Sequence, residues 1–346
     1  MKALVKTAKG VGNLELRDVP EPRPAANQVL IEIKAAGICG TDIHVKHDEF
    51  PYWPPVILGH EFAGEIVEVG AEVGDWKVGD RVVGEPHTLA CGKCWLCRAG
   101  NIQICPEKRS PGWGIDGGMA EFICYPEVLL HRIPDGMTWD QAAVVEPTAN
   151  VVTDLLERTG VMPGDFVVVQ GPGPIGLLAA MAARAVGARE VAILGTPGDV
   201  ERRFKKAADL GFTRLINVAE TNPVEAVLAL TGGRGADVVV ECSGAPKAIA
   251  GMVELVRKKG KISVIGLTGG KTVELPWDKF AFKVVDVFFN LSTSHTSWDR
   301  SISLIASGRV PSEQIITHRG PLSQWEEIFD AVENLKALKA LIVPAG

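Results

Sequence analysis

Four cysteines lie close together in the chain and could jointly hold a metal ion. Gaps of two, two and seven residues separate Cys91, Cys94, Cys97 and Cys105. The short gaps allow successive thiolates to converge from a tight loop, and the longer gap allows the chain to turn back toward them. Four thiolates that leave no open coordination position are typical of a structural zinc site. We therefore predict a structural zinc ion bound by these residues.

Two alternatives to zinc exist for this cluster. The chain has seven cysteines, an odd number with four in one group, which favours metal or catalytic use in a reducing compartment over disulfides. An iron–sulfur cluster is the other alternative, because Cys105 precedes a proline as in a ferredoxin motif. The last gap has seven residues instead of three, and the sequence contains no second such motif. Zinc is therefore preferred.

A second set of candidate ligands mixes sulfur, nitrogen and oxygen donors. Cys39 lies in the segment Gly-Ile-Cys-Gly-Thr-Asp, and His60 is followed by Glu61. A catalytic zinc takes such ligands and keeps a position for water or substrate. Cys39 and His60 would supply two ligands, and Glu61 either the third ligand or a carboxylate that orients the others. Glu146 lies before a proline where two domains are expected to meet, and it is a further candidate unless it is simply a surface acid.

Thr41 and His44 suggest a path for a proton. An alcohol must lose its hydroxyl proton before hydride can leave its carbon. A threonine hydroxyl bonded to that alcohol, with a histidine further out, could carry the proton to solvent. The alternative for His44 is an exposed histidine on a turn. The predicted catalytic residues are therefore Cys39, Thr41, His44, His60, Glu61 and Glu146.

A glycine-rich segment predicts a dinucleotide-binding loop. Gly171, Gly173 and Gly176 follow a predicted strand and open a predicted helix, which is the context that makes this motif specific. The glycines allow a tight turn, close approach of the backbone to a pyrophosphate, and close helix packing. The free N–H groups of the helix would face the phosphates. The predicted cofactor-binding residues are Gly171, Gly173, Pro174, Ile175, Gly176, Gly195, Thr196, Arg203, Ser243 and Leu267.

The choice between NAD(H) and NADP(H) depends on the end of the next strand. An acid that would hold the ribose hydroxyls is expected there, but the chain has Gly195 followed by Thr196. Arg202 and Arg203 lie nearby and could bind a 2′-phosphate, which favours NADP(H). Asp199 could instead reach the ribose and favour NAD(H).

Composition and charge describe a globular enzyme and exclude other classes. The chain has 346 residues, and this length predicts two domains. Apolar residues make up 46% of the chain, which is ordinary for a globular protein. A net charge of −6 argues against a nucleic-acid-binding protein. The N-terminal residues lack the apolar core of a signal peptide, and no stretch approaches the ~20 apolar residues of a membrane span. We expect a cytoplasmic enzyme.

The pattern of elements changes along the chain. In residues 1–147, stretches in which apolar and polar residues alternate are separated by many prolines and glycines. This pattern predicts short strands joined by loops, notably strands at 29–35, 62–70 and 79–83. From residue 148 onward, short strands alternate with helices, which predicts a parallel sheet. The predicted helices are 150–159, 174–186, 199–210, 223–230 and 246–256. The predicted strands are 166–170, 190–194, 215–218, 238–242, 261–266, 284–289 and, within the first domain, 340–343.

These motifs together resemble the zinc-containing medium-chain dehydrogenase/reductase family, in particular its sorbitol (polyol), threonine and butanediol dehydrogenases. The resemblance covers essentially the whole chain. It implies a catalytic zinc held by Cys39, His60 and a carboxylate, with Glu61 and Glu146 as the corresponding carboxylates. Other members have a cysteine where Glu146 stands, and most NAD-using relatives have an acid where Gly195 stands. In the family, part of the substrate cleft is built by the region that corresponds to residues 288–295. The polyol-binding groups of relatives have no match there, so the sequence does not identify the substrate.

The resemblance implies an α/β fold with two domains. A doubly wound parallel sheet, or Rossmann domain, would span residues 148–291 and bind NAD(P). A mostly β, GroES-like catalytic domain would span 1–147 and 292–346 and hold both zinc ions. Substrate would lie between them, at the carboxyl ends of the strands. A homotetramer or homodimer is implied.

The sequence thus predicts a zinc-dependent alcohol dehydrogenase, in which zinc acts as a Lewis acid and the cofactor accepts hydride. Polyol or secondary-alcohol oxidation is the main interpretation, and threonine-type or butanediol dehydrogenase activity is the alternative. Two other functions compete with this interpretation. A non-catalytic NAD(P)-binding protein could lack the predicted zinc ligands, and a zinc-free quinone reductase would lack them. This chain contains all of them.

Overall fold

The structure, a computed structural model, describes residues 1–344 and begins with short antiparallel strands. Alternating apolar residues give strands with one buried face, as in the long central strand of this part. Its strands are β1 (Lys2–Lys6), β2 (Leu14–Asp18), β3 (Gln28–Gly37), β4 (Val56–Ile57), β5 (Glu61–Val69), β6 (Arg81–Gly84), β7 (Phe122–Pro126) and β8 (Leu130–Arg132). Its helices are α1 (Gly40–Lys46), α2 (Trp95–Arg98) and α3 (Trp139–Ala143).

The middle of the chain alternates strands and helices. Its strands are β9 (Phe166–Gln170), β10 (Glu190–Gly195), β11 (Arg214–Asn217), β12 (Ala236–Glu241), β13 (Val256–Val264) and β14 (Asp286–Phe289). Its helices are α4 (Val145–Val151), which continues as a π-helical segment Val152–Thr159, α5 (Pro174–Ala185), α6 (Lys205–Asp209), α7 (Pro223–Leu230), α8 (Pro246–Leu255) and α9 (Trp277–Lys283).

The six strands of this region form one parallel sheet in the order β11-β10-β9-β12-β13-β14. Every residue of β9 and β12 is buried, as expected for central strands covered by helices on both faces. The order reverses between β9 and β12, which is the switch point where doubly wound sheets bind their ligands. The glycine loop follows β9 and therefore lies at this point.

The last part of the chain returns to the first sheet. It contains α10 (His295–Ala306), β15 (Ile316–Pro321), α11 (Trp325–Glu333) and β16 (Lys339–Val343). The main sheet runs β15-β16-β3-β5-β6-β8, with β7 also paired to β3, and a smaller sheet runs β2-β1-β4. The final strand, β16, pairs with β3 of the first sheet.

Two compact units divide the chain. Among the described residues, the first contains Met1–Pro147, Thr293–Ala306 and 316–344, and the second contains Thr148–Ser292 and Ser307–Ile315. This division differs from the sequence-based boundary at Ser292 and at Ser307–Ile315. The short helix Ser312–Ile315 packs on α5, which explains why that segment belongs to the second unit.

Most predicted elements differ from the observed ones by one or two residues at an end, and three differ more. The helix expected at 150–159 begins at Val145 instead, because Pro147 falls in its first turn, where a missing N–H costs little. The helix expected at 199–210 is broken into a turn Pro197–Asp199, a π-helical segment Val200–Phe204 and α6. Strand β13 begins five residues before the predicted start, at Val256 rather than 261. No helix among residues 1–344 is long and apolar enough to cross a membrane.

Candidate functional site

Cys39, His60 and Glu61 converge in the first unit. Their donor atoms lie within 4.8 Å of one another. Cys39 is the residue that precedes α1, and Glu61 is the first residue of β5, which pairs with β3. Gly37 of β3 lies opposite Glu61, and a Cβ atom there would stand only 2.1 Å from the Glu61 carboxylate. The glycine therefore provides the space that the carboxylate occupies.

Asp42 ties the two ligand-bearing loops together, and we did not predict this role. Its carboxylate accepts hydrogen bonds from the backbone N–H of Cys39, at 2.8 Å, and of Gly59, at 3.2 Å. The side chain is almost fully buried, and this burial raises the pKa of Asp42. An acid three residues after Cys39, the residue that caps the helix, is the signal that could have identified it, because that spacing forms a capping box.

Lys339 is the second residue that the sequence analysis missed. Its ammonium group pairs with the Glu61 carboxylate and donates to the backbone carbonyl of Ile38 at 2.9 Å. The side chains of Lys339 and Glu61 are 3% and 1% exposed. Burial opposes the charge on Lys339, but attraction to Glu61 outweighs it and raises the pKa of the ammonium group. Lys339 therefore holds the Glu61 carboxylate in place.

The residues of this cluster fit a zinc ion. One thiol, one imidazole and one carboxylate form a mixed donor set of the kind that leaves a coordination position for substrate. His60 is buried, and its Nδ1 has no hydrogen-bond partner among the described residues, so this polar atom is not explained by the protein fold alone. Glu146, in the first turn of α4, is also buried, and its carboxylate lies within electrostatic reach of His60 and Lys339.

Thr41 and His44 lie on α1, three residues apart, so they share one side of the helix. The Thr41 hydroxyl is 3.8 Å from the Cys39 sulfur. The His44 side chain is 54% exposed, and its Nδ1 lies 3.0 Å from a Glu49 carboxylate oxygen. The structure thus places one hydroxyl beside the cluster and one solvent-exposed imidazole near it on the same helix.

The four clustered cysteines form a second donor set. Their sulfur atoms lie within 4.8 Å of one another, and those of Cys91 and Cys97 are 3.9 Å apart. Backbone N–H groups of Cys91, Cys94 and Cys97 each point at a sulfur of the cluster at 3.4 Å. All seven cysteines of the chain are free. Four convergent thiol groups with N–H donors around them fit a closed zinc site.

The glycine loop has the shape that a dinucleotide needs. Gly171 has a φ of +98°, and a side chain there would meet Ser243. A Cβ atom at Gly176 would lie 1.9 Å from the carbonyl oxygen of Gly171, so close helix packing also requires glycine there. Gly173 precedes α5 and has open space beside it, and Pro174 and Ile175 begin the helix. Open space at the N-terminus of α5 suits a phosphate group.

Ser243 and Leu267 lie on neighbouring segments of the second unit. Ser243 follows β12 and donates to the carboxylate of Glu241, which also accepts from the backbone N–H of Gly244. Leu267 follows β13 and is 79% exposed, and its carbonyl stands close to Gly244. Both residues therefore lie beyond the carboxyl ends of neighbouring strands, β12 and β13, which is the edge of a doubly wound sheet where nucleotides bind.

The end of β10 explains why the expected acid is absent. A Cβ atom on Gly195 would lie 2.7 Å from the ring of Phe204, so a side chain does not fit unless the ring moves. The side chain of Asp199 bonds to Thr196, the residue after β10. One carboxylate oxygen accepts hydrogen bonds from the backbone N–H and the hydroxyl group of Thr196, both at 2.8 Å. Its other oxygen pairs with Arg203 at 2.9 Å. Asp199 thus serves as a local cap and holds Arg203.

Two family models match the chain, the alcohol dehydrogenase GroES-like domain at residues 25–135 and the zinc-binding dehydrogenase domain at 174–307. A sorbitol dehydrogenase from Halalkalibacterium halodurans is 39% identical over 344 residues, covering 99% of each chain. A D-arabitol-phosphate dehydrogenase from Enterococcus avium is 33% identical, covering 99% of this chain and 97% of its own. A solved zinc-binding dehydrogenase from Sinorhizobium meliloti, bound to NADP, superposes with a TM-score of 0.91 at 31% identity, covering 99% of both chains.

Proposed function

Because the chain belongs to the zinc-containing medium-chain dehydrogenase/reductase family, and is thus an NAD(P)-dependent oxidoreductase acting on CH–OH groups, we propose that its substrate is a polyol. The observation that carries the proposal is the mixed donor set of Cys39, His60 and Glu61, backed by Lys339. The identity with a sorbitol dehydrogenase along the whole chain supports a polyol over other alcohols. Threonine-type or butanediol dehydrogenase activity is the alternative.

In this proposal, Cys39, His60 and Glu61 or Glu146 hold a catalytic zinc, and the four clustered cysteines hold a structural one. When bound, the catalytic zinc supplies Lewis-acid polarisation of the substrate oxygen. Asp42 and Lys339 keep the ligands oriented, which limits the reorganisation needed when substrate binds. The Thr41 hydroxyl accepts the proton of the substrate hydroxyl as it releases its own proton toward His44, and His44 passes that proton to solvent.

The second unit would bind the nicotinamide dinucleotide. Backbone N–H groups at Gly173 and at the start of α5 face the pyrophosphate. We favour NADP(H), because no acid stands at Gly195 to repel a 2′-phosphate and Asp199 is already bonded to Thr196. The guanidinium group of Arg203, held by Asp199, is the proposed 2′-phosphate contact. We further propose a homodimer or homotetramer.

A substrate panel tests the proposed function. Initial rates would be measured for sorbitol, 2,3-butanediol, threonine and 2-propanol with NAD⁺ and with NADP⁺, following the reduced nicotinamide. We expect the highest kcat/KM for sorbitol. A higher value for threonine or butanediol would favour the alternative. Absence of turnover with every alcohol by zinc-replete protein would favour a non-catalytic NAD(P)-binding protein.

A further inference from the structure

A polar cluster in the first unit lies outside the residues described so far. Three of the chain's seven histidines surround the carboxylate of Glu85, which follows β6 and is 2% exposed. One carboxylate oxygen lies 3.0 Å from Nε2 of His131 and 2.6 Å from Nδ1 of His295. The other oxygen lies 3.6 Å from Nε2 of His87. Glu85 and His87 lie in one segment, and His131 and His295 come from two others, so the fold assembles the cluster.

The distances identify hydrogen bonds rather than the ligands of a metal ion. Two nitrogen atoms share one oxygen of Glu85, and the shorter distance is 2.6 Å. Donor atoms around a tetrahedral zinc at about 2.0 Å would stand roughly 3.3 Å apart. The cysteine sulfurs of the proposed structural site show the wider spacing typical of a metal site, at 3.9 Å. The Glu85 cluster is therefore a hydrogen-bonded network.

His131 fixes the orientation of Glu85. Its Nδ1 lies 2.8 Å from a carboxylate oxygen of Asp299, so the ring bridges two carboxylates and donates to both. Burial opposes the charge on the ring, but the hydrogen bonds to Glu85 and Asp299 raise the pKa of His131. The ring also stacks on Trp298, with centroids 5.5 Å apart and an angle of 12°. Glu85 is thereby held in one position.

Glu85 in turn fixes the tautomer of His295. A carboxylate can only accept, so Nδ1 of His295 donates its proton to Glu85, and in the neutral ring Nε2 is left as an acceptor. The His295 side chain is 64% exposed, whereas that of Glu85 is 2% exposed. A buried carboxylate that orients an accessible imidazole is the arrangement by which proteins present a basic nitrogen to a ligand.

The pair of Glu85 and His295 lies near the candidate active site within the same unit. The buried hydroxyl of Tyr125 donates to the backbone carbonyl of Glu85. The carboxylates of Glu85 and Glu146 both lie within electrostatic reach of that hydroxyl. His87, beside Glu85, bonds to Thr293 two residues before His295, at 3.0 Å between Nε2 and the hydroxyl oxygen. The carboxylate that bonds to the imidazole therefore shares the neighbourhood of the Tyr125 hydroxyl with Glu146.

We propose that His295 is a specificity-determining residue whose Nε2 accepts a hydrogen bond from a second hydroxyl group of an uncharged polyol. This inference rests on the proposed function and narrows its substrate class. Glu85 bonds to the imidazole directly, and Asp299 bonds to His131, whose ring lies 4.7 Å from that of His295. The two carboxylates outnumber the single positive charge of His131, which disfavours an anionic group at this point. The subsite therefore selects free polyols over their phosphate esters.

Two variants of His295 separate recognition from folding. In His295→Asn, the amide nitrogen can still donate to Glu85, but the group at the Nε2 position is lost. We expect about tenfold lower kcat/KM for sorbitol, the cost of one hydrogen bond, and little change for 2-propanol, which has no second hydroxyl. His295→Gln places an amide near the Nε2 position and should recover part of the loss. Wild type should prefer sorbitol to sorbitol 6-phosphate.

The same kinetic assays on sorbitol and 2-propanol are applied to a control variant. His47 pairs with Glu333 in the same unit, and His47→Asn should leave both substrates unaffected. Equal loss on sorbitol and 2-propanol, or no loss on either, would overturn the proposal. Loss of one metal equivalent from His295→Asn, measured by elemental analysis, would instead show a metal site. Wild-type protein that oxidises 2-propanol but no polyol would refute the proposed function, and the role of His295 with it.

Discussion

Lys339 neutralises Glu61 at a point where neither side chain reaches solvent. The two residues lie far apart in the sequence and meet because β16 and β5 both pair with β3. A buried charge without its partner is strongly destabilising. The pair therefore links the C-terminal strand to the candidate zinc ligands.

Replacing Lys339 should destabilise the protein much more than replacing a similar lysine at the surface. Lys339→Met leaves the Glu61 carboxylate buried without its partner, which should lower the free energy of unfolding by about 3–5 kcal/mol. Lys336 provides a matched control, since it forms an exposed ion pair with Asp330 at 3.2 Å. Lys336→Met should cost less than about 1 kcal/mol. Urea denaturation measures both, and similar losses would argue against a structural role for the buried pair.

The His131 network should make stability depend on pH. Because the folded-state pKa of His131 is raised, its contribution to stability is fully present below the unfolded value of about 6.5. It is lost as pH rises through the higher folded-state pKa. The difference in unfolding free energy between wild type and His131→Gln should therefore shrink above about pH 6.5.

The groups that face His131 are Glu85, Asp299, His295 and Trp298, and only the two carboxylates favour its charge. His318 bonds to the Thr317 hydroxyl instead of a carboxylate, so His318→Gln serves as the control. Denaturation at a series of pH values gives both differences. A wild-type advantage over His131→Gln that stays constant with pH would contradict the charged form of His131.

Arg203 should distinguish the two nicotinamide cofactors. A charge-assisted contact to the 2′-phosphate is worth about 1.5–3 kcal/mol, so Arg203→Ala should weaken NADPH binding roughly tenfold to a hundredfold. NADH binding should change far less, and Arg202→Ala is the neighbouring comparison. Fluorescence titration gives the Kd of each protein for each cofactor. If wild type prefers NADH and Asp199→Ala removes that preference, Asp199 holds the ribose and the assignment to Arg203 is wrong.

The proposed proton path predicts unequal effects of two substitutions. Thr41→Ala should lower kcat by about a hundredfold or more, because the substrate hydroxyl loses its nearby proton acceptor. His44→Ala should cost roughly tenfold to a hundredfold, because water can replace an exposed imidazole. Added imidazole should restore part of the activity of His44→Ala and none of that of Thr41→Ala. Unchanged turnover of His44→Ala across the pH range would remove His44 from the path.

Much of the fold could be predicted, because local pattern and packing agree. The apolar run of β9 ends at a glycine, and the predicted strand 166–170 has the observed bounds. The predicted helix 223–230 also matches α7, since Asn222 caps it and Pro223 begins it. The cysteine spacing likewise indicated its cluster, because all four residues lie within one loop region and need no distant partner.

The remaining features depend on contacts between distant segments. Lys339 lies at the start of an apolar strand, and nothing in its neighbours indicates that it pairs with Glu61. The three histidines around Glu85 come from three different segments, so no local spacing reveals them. Gly195 suggested a choice of cofactor, whereas the structure shows that the ring of Phe204 also requires a glycine there. Gly195→Asp would therefore test packing as well as specificity.

The central claim is that the chain has two zinc sites with different roles, one open and catalytic and one closed and structural. Zinc content, unfolding temperature and nucleotide binding of Cys39→Ser and Cys97→Ser test it together. Wild type should contain about two zinc ions per chain, and each variant about one. Cys97→Ser should unfold at a lower temperature, because its zinc contributes to folding.

Cys39→Ser is the decisive variant. It should lose one zinc ion and all alcohol oxidation, while its unfolding temperature and its affinity for the nicotinamide dinucleotide stay close to those of wild type. A Cys39→Ser protein that keeps both zinc ions and wild-type turnover would contradict the account.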